Sequence, residues 1–515
     1  MSESSLKAGV QWERQVQAQE AYLATIARLL EASPQTKAFA DKLLQETAIR
    51  LMDIVDHLVL ADDALLATLK AAGWSQDGTV LRNPAGQFPP VLSGNHSVIM
   101  IRVESIDQFN RVHGLTSASQ GAPYAPLRIA VAFDGPQVSM GIVERNGGSG
   151  YVVEASDPAT IRDGRLFLGA FRTRRRQFDS VDAGLTAVER LVDQAVAAIG
   201  PHRACAFWLM AERENWMRRC AAGRLQKARQ EAAGVGWANI DHHTYDGSRQ
   251  HYRQTIRILE KLGYERREML YAGELAGWGS QVLEQPVIGS TIFADVDLSP
   301  EELSVDFARE SLPVLPKHRR AGLLSELLGE SILEAGLNHV AGLYDQRVLR
   351  SQLAGHGVQM MQPFTNWPHL YQELTEGDWD AVDPLRVDKL ERNGHVSATE
   401  AEELRMNGSI VTHLENIERN DGYKGFNREG IDSVLRKLIL ERTQFRRLRE
   451  PLEAGRQIVQ RKLASQGALR LRDCWPSLSQ LAAPAGRTVR HQRFCWVRAH
   501  LKATLEEVAG HEALP

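Results

Sequence analysis

Residues 238–264 read ANIDHHTYDGSRQHYRQTIRILEKLGY, and they set two adjacent histidines in front of an amphipathic helix. The stretch from Trp237 to Tyr245 has the composition of a strand, and the polar turn DGS follows it. In the next segment Tyr252, Ile256 and Leu259 recur at i, i+4 and i+7, which predicts a helix with one buried face. Asp246 and Ser248 are candidate N-caps, and Gly263 suits the helix exit before the strand-like YERREMLYAG.

The same order returns downstream. LNHVAGLY (337–344) predicts a strand, Asp345 a turn or cap, QRVLRSQLAG a helix, Gly357 its exit and VQMMQPF a strand. Each copy carries a histidine in its opening strand, His242 and His339, so folding can bring both to one cleft. A third donor lies in SIVTHLENIERNDGYKGFN. As a strand, this segment puts His413, Glu415 and Ile417 on one face and Leu414, Asn416 and Glu418 on the other. Two imidazoles and one carboxylate with open positions form the facial set that suits non-haem Fe(II). The separations, 339−242=97 and 415−339=76, are compatible with donors from different strands and too large for a single-helix motif, and the chain has no H-E-x-x-H.

At these residues the sequence resembles the vicinal-oxygen-chelate superfamily, and within it the 2-oxoadipate dioxygenase/decarboxylase (hydroxyglutarate synthase) family. The similarity is carried by IDH at 240–242, LEKLGY, RREMLYAGELAGW, IFADVDLSPEEL, LNHVAGLYDQRVLRSQLAGHGV and HLENIERNDGYKGFN, and it spans roughly 237–435. It implies a repeated βαβββ metal domain with His242, His339 and Glu415 as ligands of Fe(II), or alternatively of Mn, Ni or Zn. It also implies oxidative decarboxylation and hydroxylation of a 2-oxo acid such as 2-oxoadipate, with O₂, to a 2-hydroxy acid. His243 would face the opposite side of its strand, as packing or as a contact behind the ligands, and His413 would stand behind Glu415. Glu418 and Arg419 match the family's E-R pair, expected as an ion pair. The family tends to carry Arg four residues after the first ligand, to grip a carboxylate, where this chain has Asp246; Arg249 or Arg419 would then substitute. Competing readings are another metal-dependent enzyme of the superfamily (a lyase, isomerase or extradiol-type dioxygenase) and a non-catalytic binding or scaffold protein on a decayed metal domain.

The expected fold class is α+β. Residues 1–86 read as a helical region, 87–200 as an α+β domain, 201–236 as a connecting helix, 237–445 as the metal domain and 446–515 as a helical extension. The segment AIRLMDIVDHLVLADDALLATLKAAG reads as helical, whereas HSVIMIRV, LRIAVAFDG, VSMGIVERN, GYVVEAS and RLFLGAF read as strands. The 87–200 region could be a degenerate partner domain that shapes the pocket; His96 at a strand start has no matching donors there. Trp278 could line the cavity. A net charge of −3 gives no global drive toward nucleic acid or an anionic membrane, and the RTRRRQ run at 172–177 reads as a solvated face. The four cysteines are far apart, without C-x-x-C, so neither a disulfide framework nor a structural zinc site is expected. With no signal-like or spanning apolar stretch, the chain reads as cytoplasmic, with no membrane partner. The residues leave the oligomeric state open.

Overall fold

A computed structural model of the protein describes residues 11–427, 430 and 431. It is α+β, and its strand order repeats one rule. The metal half starts with β8 (Ile240–Gly247), a helix (Tyr252–Lys261), β9 (Glu265–Tyr271), β10 (Trp278–Gln285) and β11 (Ser290–Asp297). The second copy runs β12 (His339–Leu343), a helix (Gln346–Gly355), β13 (Thr365–Trp367), β14 (Leu370–Leu374), β15 (Asp378–Asp380) and β16 (Ser409–Arg419). In each copy the last strand returns parallel to the first, β11 beside β8 and β16 beside β12. The two opening strands, β8 and β12, pair antiparallel at the centre. The sheet order β13-β14-β16-β12-β8-β11-β10-β9 is therefore two βαβββ units joined through their first strands, the arrangement expected of a vicinal-oxygen-chelate-like domain.

The amino-terminal half obeys the same rule. β1 (Val55–Leu60), a helix (Asp63–Ala71), β2 (Ser75–Asp77), β3 (Val80–Arg82) and β4 (Val91–Ser93) make a complete unit, with β4 parallel to β1. β5 (Ser97–Arg102), a helix (Ile106–His113), β6 (Leu127–Phe133) and β7 (Val138–Arg145) make a unit one strand short, with β7 parallel to β5. β1 and β5 pair antiparallel, as β8 and β12 do. This half is thus a second paired module, spanning 55–145 and crossing the boundary expected at 86/87.

Several sequence-based expectations differ from this structure. VDHLVL is a strand inside a segment read as helical, because a six-residue apolar run between helices carries no decisive period. RLFLGAF lies in the helix Pro158–Thr173, where Leu168 and Phe171, at i and i+3, are buried and Leu166 is exposed. GYVVEAS is irregular, and VQMMQPF contributes only an isolated bridge at Met360. Neither Asp246 nor Ser248 caps the first helix; its N-cap is His251, without a side-chain bond. Gly263 does end that helix region at φ +85°, and Asp345 caps the second helix through Arg347 N and Val348 N. The expected extension at 446–515 lies outside the described residues.

The helices Pro158–Thr173, Val181–Ile199 and Pro201–Met217 form a layer whose buried Phe171, Trp208 and Trp216 belong to one core with Tyr245 and Leu414 of the metal half. Two arginines of the run read as a solvated face are instead drawn into this layer, where Arg174 and Arg176 both donate to the buried Glu212. No helix among the described residues is long and apolar enough to cross a membrane.

Candidate metal centre

The pairing of β8, β12 and β16 decides which side chains meet. Ala341 lies opposite His242 on one side and Glu415 on the other, and His339 lies opposite Thr244. Small Ala341 between the two longer chains leaves room above the central strand. There Glu415 Oε2 stands 3.0 Å from His242 Nε2 and 3.0 Å from His339 Nε2. One donor atom from each of the three residues lies within 4.8 Å of the others.

Each donor is held from behind. His242 Nδ1 donates to Asp241 Oδ2 at 2.8 Å, and His339 Nδ1 to Asn338 Oδ1 at 2.9 Å, so both rings present Nε2. The far oxygen of Glu415 accepts from Gln372 Nε2 at 2.9 Å. Asp241 is clamped by Arg419, whose Nε and Nη2 lie 2.7 and 3.2 Å from its two oxygens. Asn338 in turn donates through Nδ2 to Asp246. The residue at the position of the expected arginine therefore steadies the second histidine through an asparagine. Thr244 Oγ1 also lies 2.8 Å from His339 Nε2.

The electrostatics follow from these partners. Burial disfavours the His242 imidazolium, but the carboxylates of Glu415 and Asp241 outweigh it and lift the pKa to about 9. His339 lacks a second carboxylate, so burial dominates and its pKa falls. Burial alone would raise Glu415; the facing His242 and His339 hold it well below the usual carboxylate range. Burial would likewise raise Asp241, and Arg419 with His242 holds it low. A cation entering between these atoms would replace the His242 proton, the exchange such donor sets make. Two imidazole nitrogens and a carboxylate oxygen, converging and buttressed, fit a divalent transition metal.

The other expected site residues are placed differently. Arg249 is buried with its donors taken by Glu302 and by the carbonyls of Asp297 and Pro313, so it is not free for a substrate carboxylate. Arg419 is likewise consumed by Asp241 and by the carbonyls of Tyr423 and Gly425. A buried guanidinium must be matched within the protein, and both are. Arg419 and Glu418 are not an ion pair with each other: Glu418 faces Arg50 and accepts from Gln346 N. His243 turns away from the three donors toward Arg213, and burial, reinforced by that guanidinium, drives its pKa well down. His413 sits beside His339 in register but donates to the Thr375 carbonyl at 2.8 Å, with burial lowering its pKa to about 4. His96 lies 2.9 Å from Ser139 Oγ, far from this centre in the fold.

Two features escape a reading of the sequence. Asp295 lies in register with Asp246 across β8 and β11, and burial with the Asp246 charge raises its pKa to about 8. Arg320, at the start of the helix Arg320–Leu328, lies 4.0 Å from Asp295 and 5.4 Å from the centroid of Trp278. Its charge is felt by both His339 and His413. No local motif marks either residue.

The amino-terminal half repeats the same frame with one of the three donors. His57 lies opposite Met100, Val59 opposite Val98, and Met100 opposite Gly141. With His57 set on His242, Asp56 corresponds to Asp241, Val98 to His339, Gly141 to Glu415 and Arg145 to Arg419. His57 Nδ1 donates to Asp56 at 2.7 Å, and Arg145 clamps Asp56 at 2.6 Å through Nε and 2.6 Å through Nη2, as Arg419 clamps Asp241. A side chain at Gly141 would collide with the Met100 sulfur, which fills the place of the carboxylate. The repeat of VDH and IDH at 55–57 and 240–242 was the available signal.

No family model matches the sequence, and no curated protein matches it. Among solved structures, a mutant of 4-hydroxymandelate synthase from Streptomyces coelicolor is 13% identical, with 75% of this chain and 98% of that chain covered and a TM-score of 0.26. Methylmalonyl-CoA epimerase from Mycobacterium tuberculosis is 13% identical over 36% of this chain and 89% of that chain, at a TM-score of 0.20. A xylose isomerase-like TIM barrel/4-hydroxyphenylpyruvate dioxygenase fusion protein is 12% identical over 73% of this chain and 50% of that chain, at a TM-score of 0.20. These likenesses are too distant to carry weight, and the class rests on strand order and donor geometry.

Proposed function

We propose that the protein is a metal-dependent oxygenase that converts a small 2-oxo acid, O₂ and no other co-substrate into CO₂ and the 2-hydroxy acid one carbon shorter, 2-oxoadipate being the reference substrate. The observation that carries this reading is the convergence of His242 Nε2, His339 Nε2 and a Glu415 oxygen within 4.8 Å, each held by a partner on its far side. Bound by these three, Fe(II) would supply Lewis-acid polarisation of the keto acid and redox chemistry with O₂.

The chain's own residues supply orientation and a dry wall. Asp241 and Asn338 fix both imidazole tautomers, and Gln372 fixes the carboxylate, so no reorganisation is needed at the moment of reaction. Phe293 and Phe426 pack against His242 at centroid distances of 4.8 and 5.5 Å and keep water from that side. Arg320 takes the carboxylate-binding role that Arg249 and Arg419 cannot, because its only described ion pair is the 4.0 Å contact with Asp295. The decisive experiment measures bound iron and O₂ uptake with 2-oxoadipate in wild type and His339→Ala. One O₂ consumed per CO₂ released, lost together with iron in the variant, is expected; unchanged iron content in the variant removes His339 from the site.

The Asp246–Asp295 pair favours a second reading, proton transfer on a chelated substrate by a lyase or isomerase of the same fold with Mn, Ni or Zn. Asp295 keeps its proton up to about pH 8 and so could return one to a carbanion. Turnover that persists under strict anaerobiosis would favour it over the oxygenase.

A further inference from the structure

The amino-terminal module has lost two of three donors, yet it borders a cavity of about 510 Å³ lined by both halves of the molecule. That volume is in the range of small-molecule sites. On its wall Arg102 and Arg145 surround Asp56, at 3.5 and 2.6 Å, while Arg82 lies 3.0 Å from the Tyr151 hydroxyl. The other charges at the wall are matched: Asp53 by Arg50, and Arg419 by Asp241. Three guanidiniums thus face a single carboxylate, which leaves positive charge in excess.

Two donors of the lining residues have no hydrogen-bond partner in the protein. The hydroxyl of Tyr22, a side chain only 1% exposed, is one, and Nε of Arg102 is the other. Both atoms are closed off from solvent and lie behind the wall, so a ligand in the cavity would meet the terminal nitrogens of Arg82 and Arg102 instead. Arg145 has no such capacity, since Asp56 and the carbonyls of Gly148 and Gly150 take its donors. The wall also carries apolar residues, Met52, Phe88, Pro90, Ile288 and Leu343 among them, beside the polar Gln19, Gln87 and Ser149.

We propose that this cavity is a second ligand site, separate from the three metal-binding residues, for a small organic anion whose carboxylate or phosphate meets Arg82 and Arg102 and whose apolar body lies along Phe88 and Leu343. Its position follows from the degenerate module: the Asp56–His57–Arg145 frame survives, but it now supports a wall of cations instead of an ion. The site stands whether or not the metal reading holds.

The test is calorimetric titration of the full-length, metal-loaded protein with phenylacetate and with phenyl phosphate. Saturable binding of at least one is expected; binding of phenylacetate alone identifies a carboxylate ligand, and of phenyl phosphate alone a phosphate ligand. Arg82→Gln and Arg102→Gln should each weaken that binding about tenfold, the worth of one hydrogen bond to a charged group. His339→Ala should bind as wild type does. The proposal is overturned if neither probe binds, if both variants bind with unchanged affinity, or if His339→Ala abolishes binding.

Discussion

Replacing Arg419 by Met separates what the Asp–His–Arg frame does for folding from what it does for the ion. Arg419 holds Asp241 through bonds of 2.7 and 3.2 Å, and Asp241 is 6% exposed. Removing the guanidinium strands a buried carboxylate, which costs about 3–5 kcal/mol. Arg145 holds Asp56 in the same way at 2.6 Å, but Arg102 also stands 3.5 Å from Asp56, so Arg145→Met should lower stability by less. Only Arg419 stands behind a proposed ligand, because Asp241 receives the His242 Nδ1 proton. Loss of such support typically weakens metal affinity about 10–100-fold. Urea unfolding of the two metal-free variants, with competition titration of Fe(II) or Mn(II) under anaerobic conditions, reads both effects. The larger loss of stability in Arg419→Met, with weakened metal binding in that variant alone, is expected. If Arg145→Met weakens the metal as much, or Arg419→Met leaves it untouched, the relay from Arg419 through Asp241 to His242 is wrong. Arg419→Met/Asp241→Asn should recover most of the lost stability, since the stranded charge goes with it.

Asp295 makes a pH prediction. Burial and the Asp246 charge raise its folded pKa from the ordinary 3.8 to about 8, so the folded chain holds a proton the unfolded chain has released. Folding stability from this group therefore falls as pH rises from about 4 to about 8, by at most on the order of 5 kcal/mol. Asp295→Asn, measured by denaturant unfolding, should gain on wild type across that window; a constant difference would place the proton elsewhere. Adding Mn(II) at about a hundred times its Kd should stabilise wild type by about 2.7 kcal/mol, seen as a raised Tm, and should leave Glu415→Ala unmoved. Arg320→Met should raise KM for a 2-oxo acid about tenfold or more with metal content preserved, consistent with the loss of one charge-assisted carboxylate contact; an unchanged KM removes Arg320 from substrate binding.

What the sequence revealed was whatever is written locally. The IDHH strand, the helix carrying Tyr252, Ile256 and Leu259, and their echo at 337–355 have periodicities and turns that local sterics impose, and they placed both histidines and Glu415 on central strands. What it concealed depends on partners brought from afar. A charge in a sequence does not say what satisfies it, so Arg249 and Arg419 looked available until Glu302 and Asp241 were found against them. Gln372, Asn338 and Arg320 act through position alone. The VDHLVL strand was hidden for a different reason: six apolar residues flanked by helices suit either structure, and only pairing with β4 and β5 decides.

Met100 and Gly141 make the amino-terminal half hard to return to ion binding. An acidic side chain at 141 would lie against the Met100 sulfur, so that flexible thioether would have to swing aside, and trimming it alone would open a hole behind β5. A full donor set there needs changes at both 98 and 141, with Met100 displaced. The two halves share one frame, and among the described residues only the carboxy-terminal one gathers three such donors around a common point.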